Sequence, residues 1–212
     1  MRIALASSNL LLGALFSTFV STSAYAGGVG LVMTGGAHTE TVYFYSNTDD
    51  AGLIDDWQDY PQYQMVQTLS NLGGGIEFIL GDRDDRFVGV FRGYYLQDAA
   101  QVDPRESGVV PADEFVGEFR DAPRHLGLAQ IGINYGFLGN TDGFLFGATA
   151  HIGSGFLTND HTEFLMADAG VTASYRFNRQ MSVFAEAVYT IRSRKGFSNG
   201  ANGYLGVRYM FD

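Results

Sequence analysis

The 212-residue sequence predicts an all-β fold: an eight-stranded antiparallel up-and-down β-barrel that crosses a membrane. Three observations predict it. Apolar residues recur at every second position over stretches of ten or more residues, which is the period of a strand and not of a helix. Eight such stretches follow one another, joined by short and long connections in strict alternation. Composition agrees, with 28 glycines, 14% aromatic residues and only 17% charged residues. That glycine content is about twice the average share.

The stretches lie at 28–45, 64–81, 86–97, 124–138, 143–155, 162–177, 181–194 and 201–211. The first two alternate loosely and are rich in glycine. The sixth is the clearest: Leu165, Ala167, Ala169, Val171, Ala173, Tyr175 and Phe177 share one face, and Asp168, Gly170, Thr172, Ser174 and Arg176 share the other. The seventh sets Val183, Ala185, Ala187, Tyr189 and Ile191 against Ser182, Glu186, Thr190 and Arg192. The eighth sets Leu205, Val207, Tyr209 and Phe211 against Asn202, Tyr204, Gly206 and Arg208. Turn-forming residues at 82–85, 139–142 and 178–180 mark hairpins. The longer connections are 46–63, 98–123, 156–161 and 195–200.

Residues 1–26 stand apart. Arg2, the apolar run Leu10 to Val20 and the small-x-small ending Ala24-Tyr25-Ala26 read as a secretory signal peptide, leaving 27–212 as the barrel domain. A lipid anchor is not expected, because the chain has no cysteine. The same absence removes disulfides, thiolate metal sites and thiol nucleophiles. A formal charge of -10 argues against nucleic acid as a partner.

Within the strands, Glu77, Arg92, Asp168, Arg176, Glu186, Arg192 and Arg208 can all share the face opposite the apolar register. Eight strands enclose a space that side chains can fill, so these charges are expected to pair as a plug in the lumen. The opposite face is apolar almost without a break. On a soluble, lipocalin-like binding barrel it would exceed the few hundred Å² of apolar surface that a monomer tolerates. Aromatic residues weight the strand ends: Tyr135, Phe137, Phe144, Tyr175, Phe177, Tyr209 and Phe211 beside the tight turns or the C-terminus. Tyr43, Tyr45, Tyr63, Tyr95, Phe164 and Tyr189 lie towards the other ends. Such girdles belong at the two membrane interfaces.

The signal, the eight strands and the loop alternation resemble the small bacterial outer-membrane β-barrel superfamily, with its OmpA-, OmpX- and OmpW-like members. The final run Tyr204-Leu-Gly-Val-Arg-Tyr-Met-Phe211 resembles the C-terminal signal such barrels present to their assembly machinery, with Tyr209 and Phe211 as its alternating aromatics. Family members usually end on the aromatic residue; here Asp212 follows. The resemblance implies an outer-membrane location, periplasmic termini and contact with lipid and lipopolysaccharide. It also implies a structural or surface-interaction role without a cofactor.

Two outer connections carry the acidity. Connection 46–63 has Asp49, Asp50, Asp55, Asp56 and Asp59 without a cation. Connection 98–123 has seven acids, Asp98, Asp113, Glu114 and Glu118 among them, against two arginines. Divalent cations bridging to lipopolysaccharide phosphates would suit such carboxylates, although no EF-hand spacing is present, and a solvated surface suits them too. Trp57 is expected to pack on the rim, and His38, His125, His151 and His161 to be scattered rim residues. The other readings are a small-solute channel and a lipid A-modifying enzyme. Lys195-Gly196-Phe197-Ser198-Asn199 resembles the His-x-Ser-Asn of lipid A deacylases, but Gly196 stands where the base belongs.

Overall fold

The computed structural model describes residues 27–45, 62–103, 106, 108, 123–157, 163–193 and 197–211. The proposed signal peptide, Trp57, His161 and the acids Asp49, Asp50, Asp55, Asp56, Asp59, Asp113, Glu114 and Glu118 lie outside the described residues. Eight strands follow in order: β1 (Gly27–Tyr45), β2 (Gln62–Leu80), β3 (Phe87–Asp98), β4 (Arg124–Gly139), β5 (Phe144–Leu157), β6 (Glu163–Arg176), β7 (Met181–Ser193) and β8 (Phe197–Met210). Each pairs antiparallel with its sequence neighbours, and β1 pairs with β8 from Gly28↔Met210 to Glu40↔Ser198, closing the sheet.

Period two decides which residues face where. In β6 and β7 every odd position from Leu165 to Val171 and from Val183 to Ile191 is exposed. Thr172, Phe184, Glu186, Val188, Thr190 and Arg192, at even positions, are buried. Tight turns hold the hairpins. Gly139 has φ +102, a left-handed conformation that glycine adopts without cost, and the Asn178 side chain accepts from the backbone N–H groups of Gln180 and Met181.

The outside is the greasy side. Leu31, Ile152, Leu165 and Leu205 are each more than 60% exposed, and the exposed apolar set runs around every strand. Strands of 12–19 residues exceed the 9–11 that a tilted strand needs to cross a bilayer. Such a surface is stable against lipid and not against water. Phe87, Tyr135, Phe137, Phe144, Tyr175, Phe177, Tyr209 and Phe211 form an exposed aromatic band at the turn end. Tyr95, Phe156, Tyr189 and Phe197 are exposed towards the other end. Phe164 departs from the expected girdle: it is buried and packs in the interior, because it sits one residue off the outward parity of Leu165.

This register makes a directional prediction. Val171→Arg, on the lipid face, should cost about 2–4 kcal/mol in urea unfolding from lipid vesicles. Asp142→Arg, in a tight turn where the side chain is 79% exposed, should cost less, since water reaches it. Equal costs at the two positions would mean that the face around Val171 does not meet lipid.

Candidate functional site

The lumen holds the chain's unusual chemistry, arranged in levels. At mid-barrel, inward positions of β2, β3, β7 and β8 bring Glu77, Arg92, Glu186 and Arg208 together. Arg92 donates from Nε to Glu77 at 2.9 Å and from both terminal nitrogens to Glu186 at 2.7 and 2.8 Å. Glu77 is its ladder partner, but β7 lies four strands away in either direction around the barrel, so Arg92 reaches the opposite wall. Arg208 donates to Glu77 at 2.5 Å and lies 3.5 Å from Glu186. Rings lie against both cations: the Phe184 centroid is 3.9 Å from the Arg208 guanidinium carbon, and the Tyr204 centroid is 4.8 Å from that of Arg92. Two acids thus face two arginines with every charge shared. That is the condition under which buried charges are tolerated.

From Glu186 a chain of hydrogen bonds continues through Asn134 and Thr149 to His151 and Asp168. Asp168 also accepts from Gln130 at 2.8 Å and from the Tyr204 hydroxyl at 3.1 Å. His151 is therefore a buried interior residue and not a rim residue, 2% exposed.

A second charged level gathers His38, Glu40, Asp98, Arg124 and Arg192. Arg192 reaches from β7 to Asp98 on β3 at 3.3 Å, again across the lumen. Arg124 donates to Glu40 at 2.9 Å and to Asp98 at 3.3 Å. Gln67 and Gln101 also donate to Glu40. Asp98, expected among the acids of an outer connection, ends β3 on the inward parity of Arg92, Tyr94 and Leu96, and is buried. His38 too is buried, where a rim position was expected. His125 lies on the other face, stacked on Tyr95 and hydrogen bonded to its hydroxyl.

The interior is not polar throughout. Leu96, Leu126, Leu128, Leu157, Phe164 and Met166 pack together on the β3–β6 side with Tyr94, Val188 and Tyr204. At the turn end a cavity of about 70 Å³ opens beneath Arg208, lined by Ser174, Ser182 and Arg176 among others. Arg176 faces this mouth and not the mid-barrel cluster. Its partners are Asp84 at 3.4 Å and Asp142 at 3.7 Å, both well exposed, together with the Arg83 carbonyl.

Among the described residues no group of His, Asp and Glu has the arrangement of a metal centre. Ser198 sits on β8 opposite Glu40 and Arg192 in the ladders, while Asn199, one residue on, is exposed. Tyr209 and Phe211 are exposed on the outer face with ring centroids 5.9 Å apart.

No family model matches the chain, and no curated protein sequence does. Among solved structures it is similar to the attachment invasion locus protein Ail of Yersinia pestis, solved in complex with the heparin analogue sucrose octasulfate. That likeness has 12% identity over 87% of this chain and 99% of the other, with a TM-score of 0.38. It is similar to the outer membrane protease OmpT of Escherichia coli, at 11% identity over 88% and 96%, with a TM-score of 0.29. The translocator domain of the autotransporter NalP from Neisseria meningitidis gives 13% over 97% and 96%, with a TM-score of 0.31. What the chain itself displays, in its closed ladder, apolar exterior and inward charges, is the architecture of a small outer-membrane-type β-barrel.

Proposed function

We propose that the protein spans the outer membrane of a Gram-negative envelope as a closed barrel, with a structural and surface-interaction role and without passage of solutes or catalysis. One observation carries this reading: the Arg92 side chain bonds Glu77 on one wall and Glu186 on the opposite wall, with Arg92 and Glu77 fully buried. A lumen crossed by paired side chains has no continuous aqueous path, and a second crossing at Arg192 and Asp98 reinforces the first. With an even number of strands the three tight turns and both ends of the barrel share one side, which the reading places in the periplasm. The acidic connections then face outward, where divalent cations can bridge them to lipopolysaccharide phosphates.

The purified protein in planar bilayers is expected to show no steady conductance. Mixed with lipid A it is expected to release no fatty acid. A large ion-selective current would overturn the closed lumen. Fatty-acid release that Ser198→Ala abolishes would make the protein an enzyme. Recovery as a soluble periplasmic protein would overturn the membrane location.

A further inference from the structure

The hydrogen-bond chain through His151 fixes where protons sit. Glu186 can only accept, so the Asn134 group facing it at 3.0 Å is the amide NH₂, and the Asn134 carbonyl oxygen faces Thr149. Thr149 has one hydroxyl hydrogen and gives it to that oxygen at 2.7 Å. Its lone pair is then what meets His151 Nε2 at 3.0 Å, so Nε2 carries a hydrogen. On the other side of the ring, Nδ1 is 2.5 Å from Asp168 Oδ1, a distance that requires a hydrogen between them. The other Asp168 oxygen accepts from both Gln130 and Tyr204. A carboxylate accepting three hydrogen bonds keeps its negative charge, so the shared hydrogen belongs to the ring.

The charge count reaches the same result independently. Glu77, Asp168 and Glu186 face Arg92 and Arg208, three acids against two cations inside one connected network. A doubly protonated His151 makes it three against three. The other level balances without its histidine: Glu40 and Asp98 face Arg124 and Arg192. His38 Nε2 lies 3.8 Å from Glu40 and 3.7 Å from Asp98.

We propose that His151 and Asp168 form a proton latch: a buried imidazolium–carboxylate pair whose proton completes the neutrality of the lumen and holds β5 to β6 and, through Thr149 and Asn134, to β4 and β7. Removing one of the two ring protons leaves a nitrogen lone pair against either the Asp168 carboxylate or the Thr149 hydroxyl oxygen, and one uncompensated negative charge in the lumen. Around the pair stand Tyr204 on β8, its ring centroid 6.3 Å from that of His151, Tyr94 on β3 bonded to the Tyr204 hydroxyl, and Glu186 on β7, reached through Thr149 and Asn134. From β4 come the neutral amides Gln130, bonded to Asp168, and Asn134, bonded to Glu186.

Nitrogen-15 spectra of histidine-labelled protein in micelles at neutral pH test the assignment directly. His151 is expected to show two protonated ring nitrogens. Its signals are identified by their loss in His151→Gln or, should that variant not fold, by elimination with His38→Gln, His125→Gln and His161→Gln. A single protonated nitrogen overturns the proposal. The coupling is read from unfolding rates in urea. His151→Gln and Asp168→Asn should each unfold about tenfold faster or more, since each strands a buried charge. The double variant, neutral at both positions, should unfold more slowly than either single one. Additive effects overturn the latch.

Discussion

Arg92→Ala is expected to destabilise the barrel by about 3–5 kcal/mol, the usual cost of removing one partner from a buried ion pair. Its three charge-assisted hydrogen bonds go to two carboxylates on opposite walls, and both would be left buried beside a single remaining arginine. Arg208 remains beside Glu77 and, more distantly, Glu186, but one cation cannot neutralise two acids. The measurement is the urea midpoint of the protein refolded in micelles, followed by its gel mobility with and without heating. Converting Arg92 and Glu186 together to Met and Gln should recover much of the loss, because Arg208 then still pairs with Glu77. Arg176→Ala is the control. Its carboxylate partners are exposed, so the change should be about 0–1 kcal/mol.

Gly75→Val is expected to prevent closure of the barrel at this point or to force β2 and β3 apart. A Cβ at Gly75 would stand 2.1 Å from the Gly93 carbonyl oxygen and 2.5 Å from Tyr94 Cα. Those are backbone atoms of the neighbouring strand, and they cannot rotate aside as a side chain could. Even alanine should cost about 1–3 kcal/mol, and valine more. The obstacle is space and not backbone conformation. Gly93→Ala, one ladder step away and facing outward with nothing within 4 Å of the added carbon, should change stability by less than about 0.5 kcal/mol. Folding yield into vesicles would separate the two substitutions.

The architecture was legible because an alternating pattern carries its own register. Once Leu165 is placed outside, Asp168, Glu186 and Arg208 have only one side left to face, and the strand limits expected from 124–138 and 181–194 differ from the folded ones by a single residue. Legibility failed where both parities are apolar or a strand outlasts its pattern. Tyr95 and Leu96 are both hydrophobic, so the sequence did not reveal that Leu96 joins Leu126 and Leu128 in an apolar wall inside the lumen. Asp98 looked like the first acid of a connection because it follows the last alternating pair; counting two residues on from Leu96 would have placed it inside. His151 was hidden in another way. It was expected at the rim, and nothing within β5 indicates that Asp168 stands directly across the ladder, a fact of pairing and not of period. Which wall Arg92 would reach was likewise unreadable, since no local pattern states how far around a closed sheet a long side chain extends.

The β1–β8 seam has a kinetic consequence. Its partners, from Gly28↔Met210 to Glu40↔Ser198, are the most distant in sequence of any ladder in the sheet, so it carries the largest loop-closure entropy. Until it forms, β1 and β8 each present a row of unpaired amides and carbonyls. Hydrocarbon offers these groups no partner, and each costs several kcal/mol there. Partly zipped sheets are therefore excluded from the bilayer core, and entry into lipid is coupled to completion of the final ladder. A kinetic trace of insertion should follow the joining of the two terminal strands, with no long-lived species that is embedded but open.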